Sequence, residues 1–395
     1  MQWLLTFILQ SYCLFVAVNA SPLGHSLTED INTSNFTRLL FPRVRVGGGS
    51  GSGGDPKTTT ELFLLDDFPG NCNGQTGTID GWLEEIYLLH DAVVKAYAYD
   101  SVALAYLWYV FFGVPPGNSN RPLWIAIGEH ISRVSKFLAG GGLTNPAKDG
   151  ENPRLFCSAD AGTYQEWGQP TKDKNGEPVI FEEDPLEYLL LGDTFPSESQ
   201  TENGRAFWFE SFNGYGFDHK GREVLCSDMP DNKGRVRYAT TGKPFSLFPP
   251  KTYGLTVAFG AANRHILLCP RTFSPFAGTH SYPSLLQAVS ADNYPVAGQE
   301  DPDKALDRLL PISATLYHEL YHLTDNNNTP DKFYSLQDIV DGAQDFPMQA
   351  AHNPETYAMF ATAAYVLQNP PDGVEAALYL SSFPVKASDP FGNRG

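Results

Sequence analysis

The spacing of hydrophobic residues divides the chain into helical and strand-forming regions. Apolar side chains recur at helical spacing between residues 79 and 139. From about residue 153 to residue 276, the pattern changes to short apolar runs separated by Gly, Pro, Asn and Asp, which is typical of strands and hairpins. Helical spacing returns at residues 302–323 and again after residue 353. The pattern predicts an α+β fold with a helical N-terminal part, a small sheet and helices late in the chain.

Two segments carry more specific helix signals. Residues 101–113 are almost wholly apolar but shorter than the roughly 20 residues that span a bilayer, so we expect a buried core helix. Asn353 followed by Pro354 predicts a helix start, because Asn is a favoured N-cap and Pro fits the first helical position. In the first helical region, His90 and Asp91 are expected to form a surface pair.

The N-terminal part of the chain predicts export from the cell. Residues 1–20 contain no charged side chain and end in the small residues that signal peptidase requires, so we expect cleavage after Ala20. Residues 21–60 are polar and contain a Gly/Ser run at 47–54, which predicts a propeptide or a disordered arm. The interpretation is a secreted protein whose folded domain occupies residues 61–395.

Cysteine usage agrees with a secreted chain. One of the five cysteines lies in the predicted signal peptide, and an even number in the mature protein predicts two disulfides with three possible pairings. The four cysteines are Cys72, Cys157, Cys226 and Cys269. Asn32 and Asn35 lie in glycosylation sequons, so we expect a glycoprotein.

The charge balance disfavours some classes of partner. The formal net charge of the chain is −18 at pH 7. Such an excess of carboxylates disfavours binding to nucleic acid and stable association with anionic membranes. It is compatible with a soluble extracellular protein and can attract cationic substrates.

The sequence His318-Glu319-Leu320-Tyr321-His322 is the strongest chemical motif in the chain. Residues four apart lie on one face of a helix, so His318 and His322 can present two imidazoles to one metal ion. Zn²⁺ suits imidazole ligands and polarises a carbonyl group without redox chemistry. Glu319 can take a proton from water bound to the metal. The motif predicts a zinc-dependent hydrolase, and a surface helix with two incidental histidines is the alternative.

The third ligand separates the classes of zinc peptidase, because catalytic zinc usually has three protein ligands and a position for water. Acids close enough in sequence are Asp325, Asp331, Asp338 and Glu355. Asp325 requires an immediate chain reversal after His322. Asp331 follows the turn-forming residues 326–330, which can fold the chain back over a metal. Spacing alone leaves these alternatives open.

The segment HELYH-LTDNNN-TPDKFYS resembles the aspzincins, the deuterolysin and peptidyl-Lys metalloendopeptidase group of secreted fungal proteases. Their pattern is HExxH followed by a short loop and G-T-x-D-x-x-Y-G. Thr329, Asp331 and Tyr334 occupy the T, D and Y positions in register. Residues 353–361 (NPETYAMFA) also resemble the N-A-D-x-Y-x-x-F-A segment of the family.

The resemblance is dense over residues 312–365 and absent from most of residues 113–250, where we expect insertions. Asn328 and Ser335 stand in place of two glycines of the pattern, and Glu355 stands in place of an aspartate. The two glycine replacements bear on the loop conformation, because Asn tolerates positive φ and Ser does so less readily.

The resemblance implies a zincin-like fold and an endopeptidase that acts on peptides or proteins with one catalytic Zn²⁺. His318, His322 and Asp331 would bind the ion. Glu319 would act as the general base, and Tyr334 would donate a hydrogen bond to the developing oxyanion.

Glu355 has three interpretations. In the lysine-specific branch of the family, the acid of this segment lines the pocket for the residue after the cut, so the resemblance implies a preference for lysine there. Helix capping and a third-ligand role, as in thermolysin-like enzymes, are the alternatives. A different class of function is a catalytically inactive zinc-binding secreted protein, a surface antigen or a metal scavenger on the same fold.

Overall fold

A computed structural model of the chain describes residues 56–65, 67–98, 101–114, 121–143, 152–183, 185–219, 221–226, 254–259, 263–273, 282–325 and 329–391. The predicted signal peptide, the Gly/Ser run, the two sequons and Asn328 lie outside these residues. The described residues contain both helices and small sheets, so the predicted α+β class is confirmed.

Helices form most of the framework. Those before residue 200 are α1 (Thr59–Leu62), α2 (Thr76–Ala98), α3 (Val102–Phe112), α4 (Arg121–Leu138), α5 (Leu191–Thr194) and α6 (Pro196–Ser199). Those after residue 280 are α7 (Leu285–Ala288), α8 (Leu306–Leu309), α9 (Ala314–Thr324), α10 (Leu336–Asp345), α11 (Pro347–Ala351) and α12 (Pro354–Gln368). Helix α12 packs against α2 and against α9, the HExxH helix.

The strands form small, separate sheets. They are β1 (Leu155–Phe156), β2 (Thr163–Gln165), β3 (Ile180–Glu183), β4 (Leu186–Tyr188), β5 (Arg205–Phe209), β6 (Gly214–Asp218), β7 (Gly254–Phe259), β8 (Asn263–Leu268), β9 (Ala377–Tyr379) and β10 (Pro384–Lys386). One sheet has the order β1-β8-β7, with β1 parallel and β7 antiparallel to β8. A second, antiparallel sheet has the order β2-β5-β6, and two further pairs are β3-β4 and β9-β10. Strands β7 and β8 of the first sheet contact α9.

The main core lies where α2, α3 and α9 pack around α12. The ring centroids of Trp108 and Phe360 are 4.1 Å apart, and those of Phe112 and Phe360 are 5.3 Å apart. Leu320 and Tyr321 of α9 are fully buried in the same core. Each such side chain stabilises the fold by about 1.5–3 kcal/mol through removal of apolar surface from water. The HExxH helix is therefore anchored by the two apolar residues between its histidines.

Residues 101–113 form the predicted core helix. The Ser101 hydroxyl accepts a hydrogen bond from the N–H of Leu104 (3.2 Å), and Gly113 ends the helix with a φ of 65°. A Cβ at Gly113 would lie 2.1 Å from the carbonyl oxygen of Ala343, so both the backbone conformation and the contact require glycine. Among the described helices, none is long and apolar enough to cross a membrane.

The predicted helix at residues 302–323 is interrupted. A short 3₁₀ turn at Pro302–Lys304 and helix α8 precede the break, and α9 begins at Ala314. Pro311 has no N–H group to donate and disfavours helical backbone at the residue before it. Leu310 accordingly has a ψ of 126°.

The surface pair predicted at residues 90 and 91 is wrong for His90, which is only 3% exposed. Its Nδ1 lies 3.0 Å from the Tyr317 hydroxyl, and its Nε2 lies 2.7 Å from the Ser135 hydroxyl. Asp91 faces the other way and pairs with Lys95 at 2.6 Å. The pattern assigned both residues to a helix correctly but predicted the wrong face for His90.

Two disulfides are present, as predicted. They join Cys72 to Cys157 and Cys226 to Cys269, across sequence separations of 85 and 43 residues. The first connects the segment before α2 to the end of β1, and the second connects residue 226 to the end of β8. Cross-links of this length stabilise a fold mainly by restricting the unfolded chain.

Candidate metal centre

Helix α9 brings His318 and His322 together on one face. Their Nε2 atoms are 3.1 Å apart. The side chains are only 11% and 14% exposed, respectively, so both rings lie in a largely enclosed space that remains in contact with solvent. The four-residue spacing thus places both histidines on one face of the helix, as helix geometry predicts.

Asp331 approaches the same two nitrogen atoms from the loop after α9. Its Oδ1 lies 3.1 Å from His318 Nε2 and 2.9 Å from His322 Nε2. Zinc bound tetrahedrally at about 2.0–2.2 Å holds neighbouring ligand atoms about 3.3 Å apart. The three donor atoms therefore fit one zinc ion, and they form one of the groups in the described chain that can hold a metal.

The other acids considered as third ligands lie elsewhere. Asp325 immediately follows α9 and belongs to a different cluster. Asp338 is exposed in the first turn of α10. Glu355 contacts His318, but on Nδ1 rather than on the Nε2 that faces Asp331.

Both imidazoles are held from behind by a second partner. Glu355 Oε2 accepts a hydrogen bond from His318 Nδ1 at 2.9 Å, and Thr329 Oγ1 lies 3.3 Å from His322 Nδ1. Such outer contacts keep the proton on Nδ1 and leave the lone pair on Nε2 for a metal. The contact of Thr329 with His322 was not predicted from its place in the motif. The role of Glu355 in a substrate pocket for lysine stays a prediction.

Asn353 fixes the loop that carries Asp331. It precedes α12, as predicted, but its side chain does not cap that helix. Its Oδ1 accepts hydrogen bonds from the N–H groups of Lys332 (2.9 Å) and Phe333 (3.0 Å), and its Nδ2 donates to the carbonyl of Phe333 (3.0 Å). The side chain is fully buried. The backbone immediately after Asp331 is therefore tied to the start of α12.

Glu319 is held between α9 and β7. Its Oε2 accepts a hydrogen bond from the Thr256 hydroxyl at 2.8 Å. A Cβ at Gly254 would lie 3.0 Å from Glu319 Oε1, so the strand approaches the carboxylate closely. Strand β7 thus sets the position of the carboxylate next to the two histidines.

Tyr334 joins the cluster through its hydroxyl. The phenol is hydrogen-bonded to Asp331, with Glu319 and Glu355 nearby. Burial of the hydroxyl and these three carboxylates raise the pKa of Tyr334 well above its ordinary value, so the group stays a hydrogen-bond donor at neutral pH. The rest of the side chain reaches solvent, and 43% of the residue is exposed.

The cluster favours positive charge. Burial opposes protonation of His318, but hydrogen bonds and charges from Asp331 and Glu355 outweigh it and raise the pKa of His318 well above its usual range. Burial likewise opposes ionisation of Asp331, but hydrogen bonds and charges from His318 and His322 outweigh it and lower its pKa far below normal. An environment that stabilises an extra proton also favours a bound cation.

A second group of side chains that could bind a metal ion was not predicted from the sequence. His130, Asp325 and His352 come together from three separate segments. No local spacing signals such a group, because the residues are brought together only by packing. The contact of Thr256 with Glu319 and those of Asn353 with the loop after Asp331 were not predicted from the sequence for the same reason.

Comparison with known proteins gives one partial similarity. The chain is 44% identical over 135 residues to a protein named non-secreted LysM effector LysM17, from Penicillium expansum. The match covers 32% of this chain and 17% of that protein, so the chain spans less than a fifth of the length of this curated relative. No family model and no solved structure matches the chain. The match is too short to assign a family.

Proposed function

We propose that this chain is a zinc-dependent endopeptidase with a zincin-like catalytic domain. The observation that carries the proposal is the convergence of His318 Nε2, His322 Nε2 and Asp331 Oδ1 at separations of 2.9–3.1 Å. Two imidazoles and one carboxylate suit Zn²⁺, whereas Mg²⁺ and Ca²⁺ prefer oxygen ligands alone. The aspzincin-like pattern of the same residues supports the proposal independently of these distances.

The remaining side chains have the chemistry that peptide hydrolysis needs. Bound zinc would polarise the scissile carbonyl and lower the pKa of a water molecule. Glu319 accepts a proton from the attacking water and then delivers it to the amine that leaves. Tyr334 donates a hydrogen bond to the carbonyl oxygen as that oxygen becomes negative, which is worth about 3 kcal/mol in the transition state.

The partners of the catalytic groups support precise positioning. Thr256 holds the Glu319 carboxylate, and Glu355 and Thr329 each contact the outer nitrogen of one histidine. Catalytic constellations need such support because small displacements of reacting groups cost large factors in rate. Metal binding alone would require neither Glu319 nor Tyr334.

Secretion is part of the proposal. Two disulfides favour an oxidising compartment, and they support the N-terminal signal predicted from the sequence. The partial relative carries the word non-secreted in its name. Detection of the mature protein in the medium, with its N-terminus at residue 21, tests this part of the proposal separately from the catalytic part.

The test of the catalytic proposal is cleavage-site mapping with a Glu319→Gln variant. Gln keeps the size of the side chain and still accepts a hydrogen bond from Thr256, but it does not act as a base. We expect the wild type to cut denatured proteins, the variant to lose these cuts, and a chelator to abolish them until zinc is restored. Glu182→Gln, in the exposed strand β3, is the matched control and should cut like the wild type.

The zinc content of each sample decides how a negative result is interpreted. A wild-type sample that contains zinc at His318 and His322, yet makes no cut dependent on Glu319, contradicts the endopeptidase. That result would instead support the zinc-binding protein without catalytic activity.

A further inference from the structure

We propose a second metal site, formed by His130, Asp325 and His352. One donor atom from each residue lies within 4.8 Å of the other two. Two imidazoles and one carboxylate are typical ligands of zinc and similar divalent transition metals. The site is distinct from the candidate centre because it shares no donor atom with His318, His322 or Asp331.

The three residues come from segments that surround the candidate centre. His130 lies on α4, Asp325 follows the last residue of α9, and His352 follows α11. Asn353, which holds the loop after Asp331, is the next residue after His352. An ion at this position would tie the end of the HExxH helix to α4 and to the start of α12.

Burial and unsatisfied polar atoms support the site. The side chains of His130 and Asp325 are each 2% exposed, and His130 Nδ1 lies 3.2 Å from Asp325 Oδ1. His130 Nδ1 and Asp325 Oδ2 are buried and have no hydrogen-bond partner among the residues that the structure describes. Buried polar atoms without a partner are uncommon in folded proteins. A cation bound between the two side chains would satisfy both atoms.

Arg133 is the positive group that a metal ion would have to tolerate. Its guanidinium donates a hydrogen bond to Asp325 Oδ1, which leaves Oδ2 without a described partner. The Arg133 side chain is 36% exposed, so water screens part of its charge. Carboxylates that bind metals are themselves commonly hydrogen-bonded by an outer partner. Arg133 is therefore positioned to orient the Asp325 carboxylate.

The alternative is a hydrogen-bonded network without an ion. In that arrangement Arg133 donates to Asp325, His130 Nδ1 lies 3.2 Å from Asp325 Oδ1, and His352 packs with its ring edge-on to His130 at a centroid distance of 4.7 Å. The two arrangements differ in one measurable quantity, the number of zinc ions that the folded chain holds.

The experiment is a count of tightly bound zinc in the full secreted chain after removal of metal and reconstitution. Four proteins are compared alongside one control variant: wild type, His352→Gln, His322→Gln and the double variant, with folding checked by near-ultraviolet circular dichroism. His352 is only partly buried, so its replacement disturbs the core least. Exposed His219 supplies the control variant His219→Gln, which should keep the wild-type zinc content.

We expect two zinc ions in the wild type, one in each single variant and none in the double variant. A wild type with one ion that His322→Gln removes and His352→Gln retains overturns the second site and leaves the candidate centre intact. A wild type with one ion that only His352→Gln removes supports the second site and contradicts the zinc centre of the proposed peptidase.

Two ions that survive in His352→Gln also overturn the inference. Should His352→Gln fail to fold, the wild type and His322→Gln decide: two ions falling to one supports the site, and one falling to none overturns it.

Discussion

Glu355 Oε2 lies 2.9 Å from His318 Nδ1, while Nε2 of the same imidazole lies 3.1 Å from Asp331 Oδ1. The two carboxylates thus contact opposite nitrogen atoms of one ring. If His318 binds zinc as proposed, this relationship would give Glu355 a role in orienting that ligand.

Glu355→Ala should weaken zinc binding at the candidate centre by about 10–100-fold, because outer partners of metal-bound histidines typically contribute that much to affinity. Glu355→Gln retains an oxygen that accepts the same hydrogen bond and should weaken binding much less. Competition titration with a zinc chelator measures both constants. Glu187→Ala, on the exposed strand β4, is the control. Equal affinities in Glu355→Ala and the wild type would argue against the orienting role.

The implied preference for lysine has its own test with Glu355→Gln. The resemblance predicts that the wild type cuts before lysine, because a carboxylate in the pocket pairs with the substrate ammonium. The neutral variant should lose the enrichment of lysine after the cut while keeping most of its zinc affinity. Mass-spectrometric mapping of cleavage sites measures the enrichment. Lysine preference that persists in Glu355→Gln would place the specificity in another residue.

Asn353→Ala should destabilise the protein and loosen the Asp331 loop together. The substitution removes hydrogen bonds to the backbone of Lys332 and Phe333 and leaves buried groups without partners, so we expect a loss of about 2–4 kcal/mol in the free energy of unfolding. Urea unfolding measures stability, and chelator competition measures the accompanying loss of zinc affinity. Asn175→Ala, in an exposed turn, should change neither quantity. Unchanged zinc affinity in Asn353→Ala would separate the loop contact from metal binding.

Thr256→Val should lower kcat/KM by about 10–150-fold without changing zinc content, because one hydrogen bond to a charged group contributes about 1.5–3 kcal/mol to the position of Glu319. Cleavage of a fluorogenic peptide measures the rate. The same exchange at the exposed Thr163 of β2 is the control. A wild-type rate in Thr256→Val would show that β7 does not need this contact to position the base.

The buried His90 should make stability depend on pH. Burial lowers the pKa of His90 from 6.5 to about 3. Between these values the unfolded chain binds a proton that the folded chain does not, so stability falls as the pH drops below about 6.5, by at most about 1.4 kcal/mol per pH unit. Above pH 6.5 the contribution of His90 is complete.

Urea unfolding of the wild type and His90→Gln at pH 7 and pH 5 measures this term. His90→Gln should be less stable at pH 7, because it disturbs the contacts with Tyr317 and Ser135, and its stability should change less between the two values. His219→Gln should keep the wild-type pH dependence. Identical slopes in His90→Gln and the wild type would contradict the assignment.

Local spacing was sufficient for the parts of the molecule that local geometry decides. The helical repeat of residues 318–322 puts both histidines on one face in any α-helix, and the Asn353-Pro354 pair marks a helix start through its own backbone preferences. An even number of cysteines indicated two disulfides. The choice among the three pairings depended on folding, because the paired cysteines are separated by 85 and 43 positions in the sequence.

Packing between distant segments decided the rest. Asp331, and not Asp325, lies next to the Nε2 atoms of His318 and His322. This placement depends on a loop that Asn353 holds from the start of α12. The inward face of His90, the contact of Thr256 with Glu319 and the grouping of His130 with Asp325 and His352 likewise depend on how helices and strands pack. Periodicity assigns a residue to a helix face, but the neighbours of that face are chosen by the burial of the whole core. Long-range contacts of this kind leave no fixed spacing along the chain.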